Sequence, residues 1–408
     1  MAKFLTNPLK DDQTGRSSGS SLQKKQRSYE LGSEPPLILF LFSDTGGGHR
    51  SAAEAIIEGL RLEIGDRVKT RMVDIFKDYA PAPLNLMPDL YPKIVRVPQA
   101  WGLGYRLSNG PGQVRFLTAS AWPYVRRSVR KLIVQNPSDL IVSVHPLATA
   151  SVLRALGPKH PPFVTVITDL VSTHAFWYNR NTDLCIVPTE AARKRALLFG
   201  LRENQVKVIG LPVAERFCQP PGNRHALRMR LGWPQDRPVI LLVGGGEGMG
   251  PLERSALAIA SACPTAALVV ITGRNASLRE RLESYHWPIP TFIYGFVHQM
   301  PDFMRAADIL VTKAGPGTIT EALNAELPMI LYSRLPGQED GNVGYVEVEG
   351  AGIWAPQPEK MVEAIQNWIK HPKEREKAVA ACRRLARPSA ARQIAGILAE
   401  QVGLAADR

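Results

Sequence analysis

Cysteine is scarce and scattered: Cys185, Cys218, Cys263 and Cys382 are the only four, and none stands in CxxC spacing. That pattern argues for a reducing compartment and against a structural zinc site. No run of about 18 apolar residues occurs, so no bilayer-spanning helix is expected; the longest candidate, 37–42, is strand-sized. No Asp-x-Asp pair follows an apolar strand, so nothing in the sequence requires a metal. Residues 1–34 are polar and lack the apolar core of a secretory signal, and Asp11, Asp12, Glu30 and Glu34 speak against a plastid transit peptide. They read as a disordered basic tail. Acidic residues are missing altogether between Asp89 and Asp139.

What is present starts with size and charge. The chain has 408 residues, 45% of them apolar, which favours two domains, each with its own core. A net charge of +13 implies an anionic partner: nucleic acid, a membrane surface or a phosphorylated substrate. The stretch free of acids carries Lys93, Arg96, Arg106, Arg115, Arg126, Arg127, Arg130 and Lys131. Tyr91, Trp101, Tyr105, Phe116, Trp122 and Tyr124 are interleaved with them. Aromatic and basic residues together suit the headgroup region of an anionic membrane. No recognised nucleic-acid-binding motif accompanies the charge, so no nucleic acid is expected.

From Pro35 the chain alternates strand and helix. Apolar runs at 37–43, 71–75, 140–144, 163–168 and 184–187 read as strands of a parallel sheet. A helix is expected from about Ser51 to Leu62. Gln219 to Asn223 reads as a linker, after which strands at 239–244, 267–272, 291–295, 309–312 and 327–332 repeat the design. Both halves begin with a strand and a triple glycine. The fold class is therefore α/β, two Rossmann-like domains facing across a cleft, with ligands beyond the carboxyl ends of the strands. The expected domains are 35–217 for acceptor and membrane and 218–385 for the donor, with a terminal helix at 386–408.

The stretch VTKAGPGTITEALNAELPMILYSRLPGQEDGN, 311–342, reads as a strand end, a glycine turn, a helix start, a strand and a polar loop. It suits a nucleotide diphosphate. Gly315 and Gly317 let a phosphate approach, Thr318 is expected to cap the helix, and the N–H groups of Thr318, Ile319 and Thr320 sit where anions are favoured. Glu321, one turn in, is assigned to ribose hydroxyls. Gln338, Glu339 and Asn342 are placed on a loop that grips a sugar. Lys313 and Arg274 are the nearest cations, each equally readable as solvated surface, and Gly246 lies in the second triple-glycine loop. For the chemistry, His49 follows Gly46, Gly47 and Gly48, a loop open to an approaching acceptor, and accepts protons near neutral pH. Asp169 is the rival base, and His145 either orients one of them or pairs with backbone.

The sequence KAGPGTITEA followed by LPGQEDGN resembles the donor-site signature of the monogalactosyldiacylglycerol synthases, related to the peptidoglycan enzyme that adds N-acetylglucosamine to a lipid. The resemblance extends to SDTGGGHRSAAEAI at 43–56, VITDLVSTH at 166–174, VIGLPV at 208–213 and GGGEGMGP at 244–251, and so covers about 37–385. It implies a glycosyltransferase type B fold whose last helix packs back on the first domain. It implies that Gly295, Phe296 and Val297 hold uracil, that the histidine matching His49 is the base, and that Pro83 contacts anionic lipid, although the family's neighbouring aromatic residues are absent here. The expected activity is inverting transfer of a hexose, galactose in first place, from a UDP-hexose to diacylglycerol. Further readings are a processive UDP-glucose enzyme, transfer of N-acetylglucosamine to a polyprenyl-linked acceptor, a UDP-sugar 2-epimerase and a non-enzymatic binder. No cofactor is called for. The expected place is peripheral, on the cytoplasmic face of a bacterial inner membrane or on a thylakoid membrane.

Overall fold

The computed structural model describes residues 34–404, apart from 46, 47, 96, 221 and 249 and the side chain of Pro92. The expected tail, Gly46, Gly47 and Arg96 thus lie outside the described residues.

The first half holds β1 (Leu37–Phe42), α1 (Gly48–Ile64), β2 (Lys69–Asp74), a π-helical turn (Ile75–Tyr79), α2 (Met87–Ile94), α3 (Pro98–Ser108), α4 (Pro111–Gln135), β3 (Leu140–Ser143), α5 (Pro146–Leu156), β4 (Phe163–Val166), β5 (Leu184–Val187), α6 (Glu190–Leu198) and β6 (Val206–Val208). The second holds α7 (Arg224–Leu231), β7 (Val239–Val243), α8 (Leu252–Ala262), β8 (Ala267–Ile271), α9 (Ala276–Glu283), β9 (Thr291–Tyr294), α10 (Met300–Ala306), β10 (Ile309–Lys313), α11 (Pro316–Asn324), β11 (Met329–Ser333), α12 (Asp340–Val348) and β12 (Gly352–Trp354). Helices α13 (Pro358–Lys370), α14 (Pro372–Leu385) and α15 (Ala390–Gln401) follow.

Each half is one parallel six-stranded sheet, ordered β2-β1-β3-β4-β5-β6 and β12-β11-β10-β7-β8-β9. The central strands are apolar without alternation because helices cover both faces; every residue of β7 and β8 is buried. Three-residue β6 and β12 escape the sequence reading because they are short, partly exposed edge strands. The second sheet has the strand order of dinucleotide-binding domains, reversing between β7 and β10, and the first reverses between β1 and β3. Open parallel sheets bind ligands where the order reverses, because neighbouring loops there diverge to opposite faces and leave a crevice.

Helix α15 returns to the first half. Ile394, Ala395, Leu398 and Ala399 are fully buried in one cluster with Ile38, Phe40, Ile56 and Leu60. A Cβ on Gly59 would stand 3.0 Å from the Ala391 carbonyl oxygen, so α1 and α15 approach this closely only with glycine there. Truncating Leu398 to alanine should cost about 2–5 kcal/mol.

Candidate active site

At the first reversal, the loop after β1 and the loop after β3 bring two histidines together. The rings of His49 and His145 lie 4.6 Å apart, edge to face. His145 caps α5: its Nδ1 accepts from the Leu147 N–H at 3.3 Å, which places its proton on Nε2, and Nε2 donates to Thr45 Oγ1 at 3.0 Å. Burial holds His145 well below the ordinary histidine pKa, and His49 adds to this. It is therefore a neutral structural partner. His49 lies inside α1, which starts at Gly48 and not at Ser51, so the helix begins three residues earlier than the sequence reading placed it. Its Nδ1 shares a 2.8 Å hydrogen bond with Thr168 Oγ1, and Trp177 lies 6.0 Å from the ring. Burial lowers its pKa to about 4, against a hydrogen bond to the Val144 backbone that acts the other way. Gly48 is exposed, and a Cβ added there would meet nothing within 4 Å, so the approach to His49 is open.

Asp169 does not orient His49. Its carboxylate accepts from Trp177 Nε1 at 2.7 Å and from Gln338 Nε2 at 3.1 Å, and Thr168 holds the imidazole instead. Burial raises the Asp169 pKa, and those two hydrogen bonds oppose the rise. Because Gln338 belongs to the second half, this pair is one of the links across the cleft. A second link is Gly341 N–H to Ser172 Oγ at 2.8 Å. His174 is a cap like His145: it accepts from Phe176 N–H and bonds Ser108 Oγ.

At the second reversal, α11 starts at Pro316 with Gly315 as its N-cap and no side-chain cap. Thr318 is thus inside the helix rather than its cap, because proline preset for the first helical position moves the start three residues back. The Ile319 N–H bonds to Gly315 O, so the groups left without an intrahelical partner are the N–H of Gly317 and Thr318. Ile319 is fully buried and the Thr320 hydroxyl donates to Pro316 O at 2.9 Å, so neither side chain faces a ligand. A Cβ on Gly317 would meet nothing within 4 Å. Lys313 stands over this helix start, with Nζ 3.1 Å from where a Gly315 Cβ would be and its stem 3.5 Å from that of Gly245. Glu321 has no hydrogen-bond partner among the described residues, and burial raises its pKa to about 7 against the opposing pull of Arg216.

The polar loop differs most from its expected form. Asn342 lies in α12, is 1% exposed, and its Nδ2 donates to Ala314 O at 2.9 Å, so it braces the β10–α11 turn. Glu339 is 4% exposed and fully engaged: Oε1 accepts from Lys313 Nζ at 2.8 Å and Oε2 from Leu335 N–H at 2.7 Å. It positions the lysine. Gln338 keeps a buried Oε1 with no partner among the described residues. Arg274 is paired with Glu247 at 2.8 Å, donates its backbone N–H to Gly246 O at 2.8 Å, and lies 4.6 Å over the half-exposed Phe296 ring. Gly295, Phe296 and Val297 directly follow β9, on the same side as Gly246.

The basic, acid-free segment folds as α2, α3 and α4, and α3 lies in the cleft. A Cβ on Gly102 would come 2.7 Å from Pro336, Tyr105 donates to Ser172 O, and Arg106 reaches Asp340 at 3.5 Å. Trp101 packs edge-on against Tyr91, with its Nε1 buried and without a partner among the described residues, and Trp122 lies under Arg154. Neither indole is spread on the surface as expected of lipid-facing aromatics. The exposed surface of these helices and their joining turns is apolar instead: among the described residues, ten of the seventeen exposed large hydrophobic side chains, Leu86, Leu90, Ile94, Val97, Leu103, Leu107, Phe116, Leu117, Tyr124 and Val134, lie here. Such clustering marks an interaction surface. Lys93, Arg115, Arg126, Arg127, Arg130 and Lys131 are exposed, without ion-pair partners among the described residues, and Pro83 is exposed too. Among those residues no helix is long and apolar enough to cross a membrane.

Residues missed in the sequence are Thr168, Trp177, Thr45 and Ser172. Thr168 and Ser172 stood within VITDLVSTH, but nothing local tells a hydroxyl that will meet His49 from one that ends a strand.

The profile of the family described as Monogalactosyldiacylglycerol (MGDG) synthase matches residues 49–213, and that of the Glycosyltransferase family 28 C-terminal domain matches 239–394. Monogalactosyldiacylglycerol synthase 3, chloroplastic, of Arabidopsis thaliana is 36% identical over 401 residues, which span 91% of this chain and 86% of that protein. Monogalactosyldiacylglycerol synthase 2, chloroplastic, of the same plant is 39% identical over 367 residues, 86% and 78% of the two chains. The chain belongs to the monogalactosyldiacylglycerol synthase family. Among solved structures, Acinetobacter baumannii MurG is similar, with a TM-score of 0.55 at 14% identity over 90% of this chain and all of that one. UDP-GlcNAc 2-epimerase from Neisseria meningitidis bound to UDP-GlcNAc gives 0.55 at 14% identity, covering 90% and 99%. At such identities these two show the fold, which transferases and epimerases share. The epimerase reading therefore rests on fold alone, whereas membership of the synthase family rests on sequence along most of the chain.

Proposed function

We propose that this protein transfers a hexose, galactose in first place, from a UDP-hexose to the free hydroxyl of 1,2-diacylglycerol with inversion, releasing UDP. The observation that carries this reading is the opposition of the two sheet reversals across one cleft. One presents a neutral imidazole behind an open glycine, the other a helix start with unbonded N–H groups and a lysine. A glycerol hydroxyl is a poor nucleophile at neutral pH, so a positioned base is required, and such bases contribute about 10²–10⁴-fold. His49 takes the hydroxyl proton as oxygen attacks the anomeric carbon, on the face opposite the departing UDP. An imidazole with a pKa near 4 is a weak base when the cleft is empty. The diphosphate dianion across the cleft favours imidazolium and raises it toward the useful range. Thr168 and His145 hold the ring. The Gly317 and Thr318 N–H groups and Lys313 take up the charge on UDP, Glu321 receives the ribose hydroxyls, and Gln338, with its free Oε1, meets the hexose.

We propose further that this charge is carried without a protein-held metal, so that EDTA followed by added Mg²⁺ changes the rate less than about twofold; a full loss with EDTA would sink the point. The exposed cations and apolar side chains of α2–α4 are read as a peripheral contact with an anionic leaflet, where each cation is worth about 1 kcal/mol. The deciding experiment supplies purified protein with each radiolabelled UDP-hexose and diacylglycerol in phosphatidylglycerol-containing liposomes and identifies the lipid product. Labelled monogalactosyldiacylglycerol supports the reading. Free altered sugar without acceptor would make it an epimerase, and no turnover a binding protein.

A further inference from the structure

A narrow apolar groove runs beside the histidine pair on the first half. Phe76 and Leu84 form one wall, Val125 and Val129 of α4 the second, and Leu147 and Val152 of α5 the third. Among the described residues no charged side chain lines it, and the polar side chains there are the hydroxyls of Ser128, Ser151 and Tyr79, of which that of Tyr79 donates to Gln135. A phosphate or other ionic headgroup would therefore lie there unpaired, at a cost no neighbour offsets. Hydrocarbon would not.

The two ends of the groove give it direction. At the inner end the Phe76 ring meets His145 edge-on at 5.6 Å, and His145 is 4.6 Å from His49. Leu147, two residues past His145, is 40% exposed there, an unusual position for a leucine beside a reactive centre. At the outer end Leu84 passes into Leu86, 48% exposed, and so into the apolar, cation-bordered surface of α2–α4. A molecule lying in the groove thus has its inner end near the base and its outer end at the surface that meets lipid. An uncharged, apolar groove with that course fits a stretch of unbranched hydrocarbon tail.

We infer that this groove seats one acyl chain of the glycerolipid acceptor and thereby brings the glycerol hydroxyl to His49. The inference rests on the transfer reading above, but its binding arm does not depend on turnover. Full-length protein is irradiated on liposomes holding a diacylglycerol with a diazirine at mid-chain, and labelled peptides are mapped. Labelling concentrated in residues 125–132 and 147–152, reduced by unlabelled diacylglycerol, is the expected result. Labelling dispersed over α2 and α3, or competed by phosphatidylglycerol and not by diacylglycerol, would overturn it. The second arm uses Ser128→Trp and Ser151→Trp, which fill the groove without touching His49, His145 or the donor half. The kcat/KM ratio of dioleoylglycerol to dihexanoylglycerol should fall at least about tenfold, as for two fewer buried methylenes. UDP affinity and circular dichroism report whether each variant is folded. A folded variant with an unchanged ratio refutes the groove. If the wild-type protein transfers no sugar while the photolabel still maps to the groove, the transfer reading fails and the acyl site stands.

Discussion

The two halves start alike, with an apolar central strand running into three glycines, and then do opposite things. After β1 the chain enters a helix at once, with His49 in its first turn held by Thr168. After β7 the glycines turn back: Gly248 N–H bonds to Gly245 O and Arg274 N–H to Gly246 O, so the loop lies down against the end of β8. The helix start read as the anion site comes three crossovers later, after β10, the neighbour of β7 in the sheet, where Gly315, Pro316 and Lys313 meet. The same scaffold therefore places a half-buried histidine among neutral partners and, opposite it, a helix start beside a lysine. Position at the sheet reversal is shared, and the side chains at that position decide the chemistry.

The largest effect should come from removing the base from its half alone. His49→Ala is expected to lower kcat by about 10²–10⁴-fold, with UDP affinity by calorimetry and Tm close to wild type because the donor half is untouched. If Asp169→Asn is instead the dead variant and His49→Ala changes only KM for acceptor, the two roles exchange. The pH profile adds a second readout. Burial depresses the His49 pKa to about 4, so the free protein stays in its proton-accepting form down to that range. The kcat/KM acid limb from this group should therefore fall below about pH 5, and a limb centred near the ordinary histidine value of about 6.5 would contradict the buried ring.

Next in size is the ion pair that shapes the opposing side. Lys313 is a quarter exposed and Glu339 nearly buried, at 2.8 Å. Lys313→Ala strands the carboxylate, which for a fully buried pair costs about 3–5 kcal/mol and here, with one partner partly solvated, about 2–3 kcal/mol. Chemical denaturation should show this loss, and UDP should bind more weakly. Adding Glu339→Gln should recover more than half of the stability but not the affinity. A double variant whose loss equals the sum of the two single losses would mean that the pair is not coupled.

The contrast between the halves was partly readable in advance. Continuous apolar runs such as 37–42 and 239–243, each followed by glycines, give two parallel sheets and place His49 and Gly315 at strand ends by periodicity alone. The polar loop was not readable in the same way. Gln338, Glu339 and Asn342 look equivalent as a string of hydrogen-bonding residues, yet Asn342 faces Ala314, Glu339 faces Lys313 and Gln338 faces Asp169. Which way each points depends on where α12 begins, and helix boundaries are weakly encoded. Trp101 was misplaced for a related reason: aromatic and basic residues alternate along 91–131, but only the packing of α3 on Pro336 shows that its aromatics turn inward.

A smaller effect belongs to the outer surface of the first half, where most of the exposed large hydrophobic side chains among the described residues lie. Arg126 is exposed and unpaired among the described residues, so Arg126→Gln should weaken flotation with phosphatidylglycerol liposomes by about 1 kcal/mol, roughly fivefold. The loss should shrink as salt rises. Equal loss on neutral vesicles would remove the electrostatic account.

The smallest effect tests Glu321 and reverses sign with pH. Its carboxyl lies one turn inside α11 without a hydrogen-bond partner among the described residues, and burial raises its pKa from the ordinary 4.5 to about 7. A carboxyl whose folded pKa lies above its unfolded value favours the folded state fully below the unfolded value, and that contribution is lost as pH climbs through the folded value. Without UDP, then, wild type should lose stability between about pH 4.5 and 7 through this group, and Glu321→Gln, which never ionises, should not. At pH 8 the variant should be the more stable by about 1 kcal/mol, discounted for the partial exposure of the side chain, and at pH 4.5 the two should converge. Binding should run the other way, because an ionised carboxylate accepts hydroxyl hydrogen bonds better than an amide oxygen: at pH 8 the variant should bind uridine more weakly. A glutamine variant that is less stable at pH 8 would show that the carboxylate has a partner in the folded protein, and uridine binding equal to wild type would remove Glu321 from the ribose site.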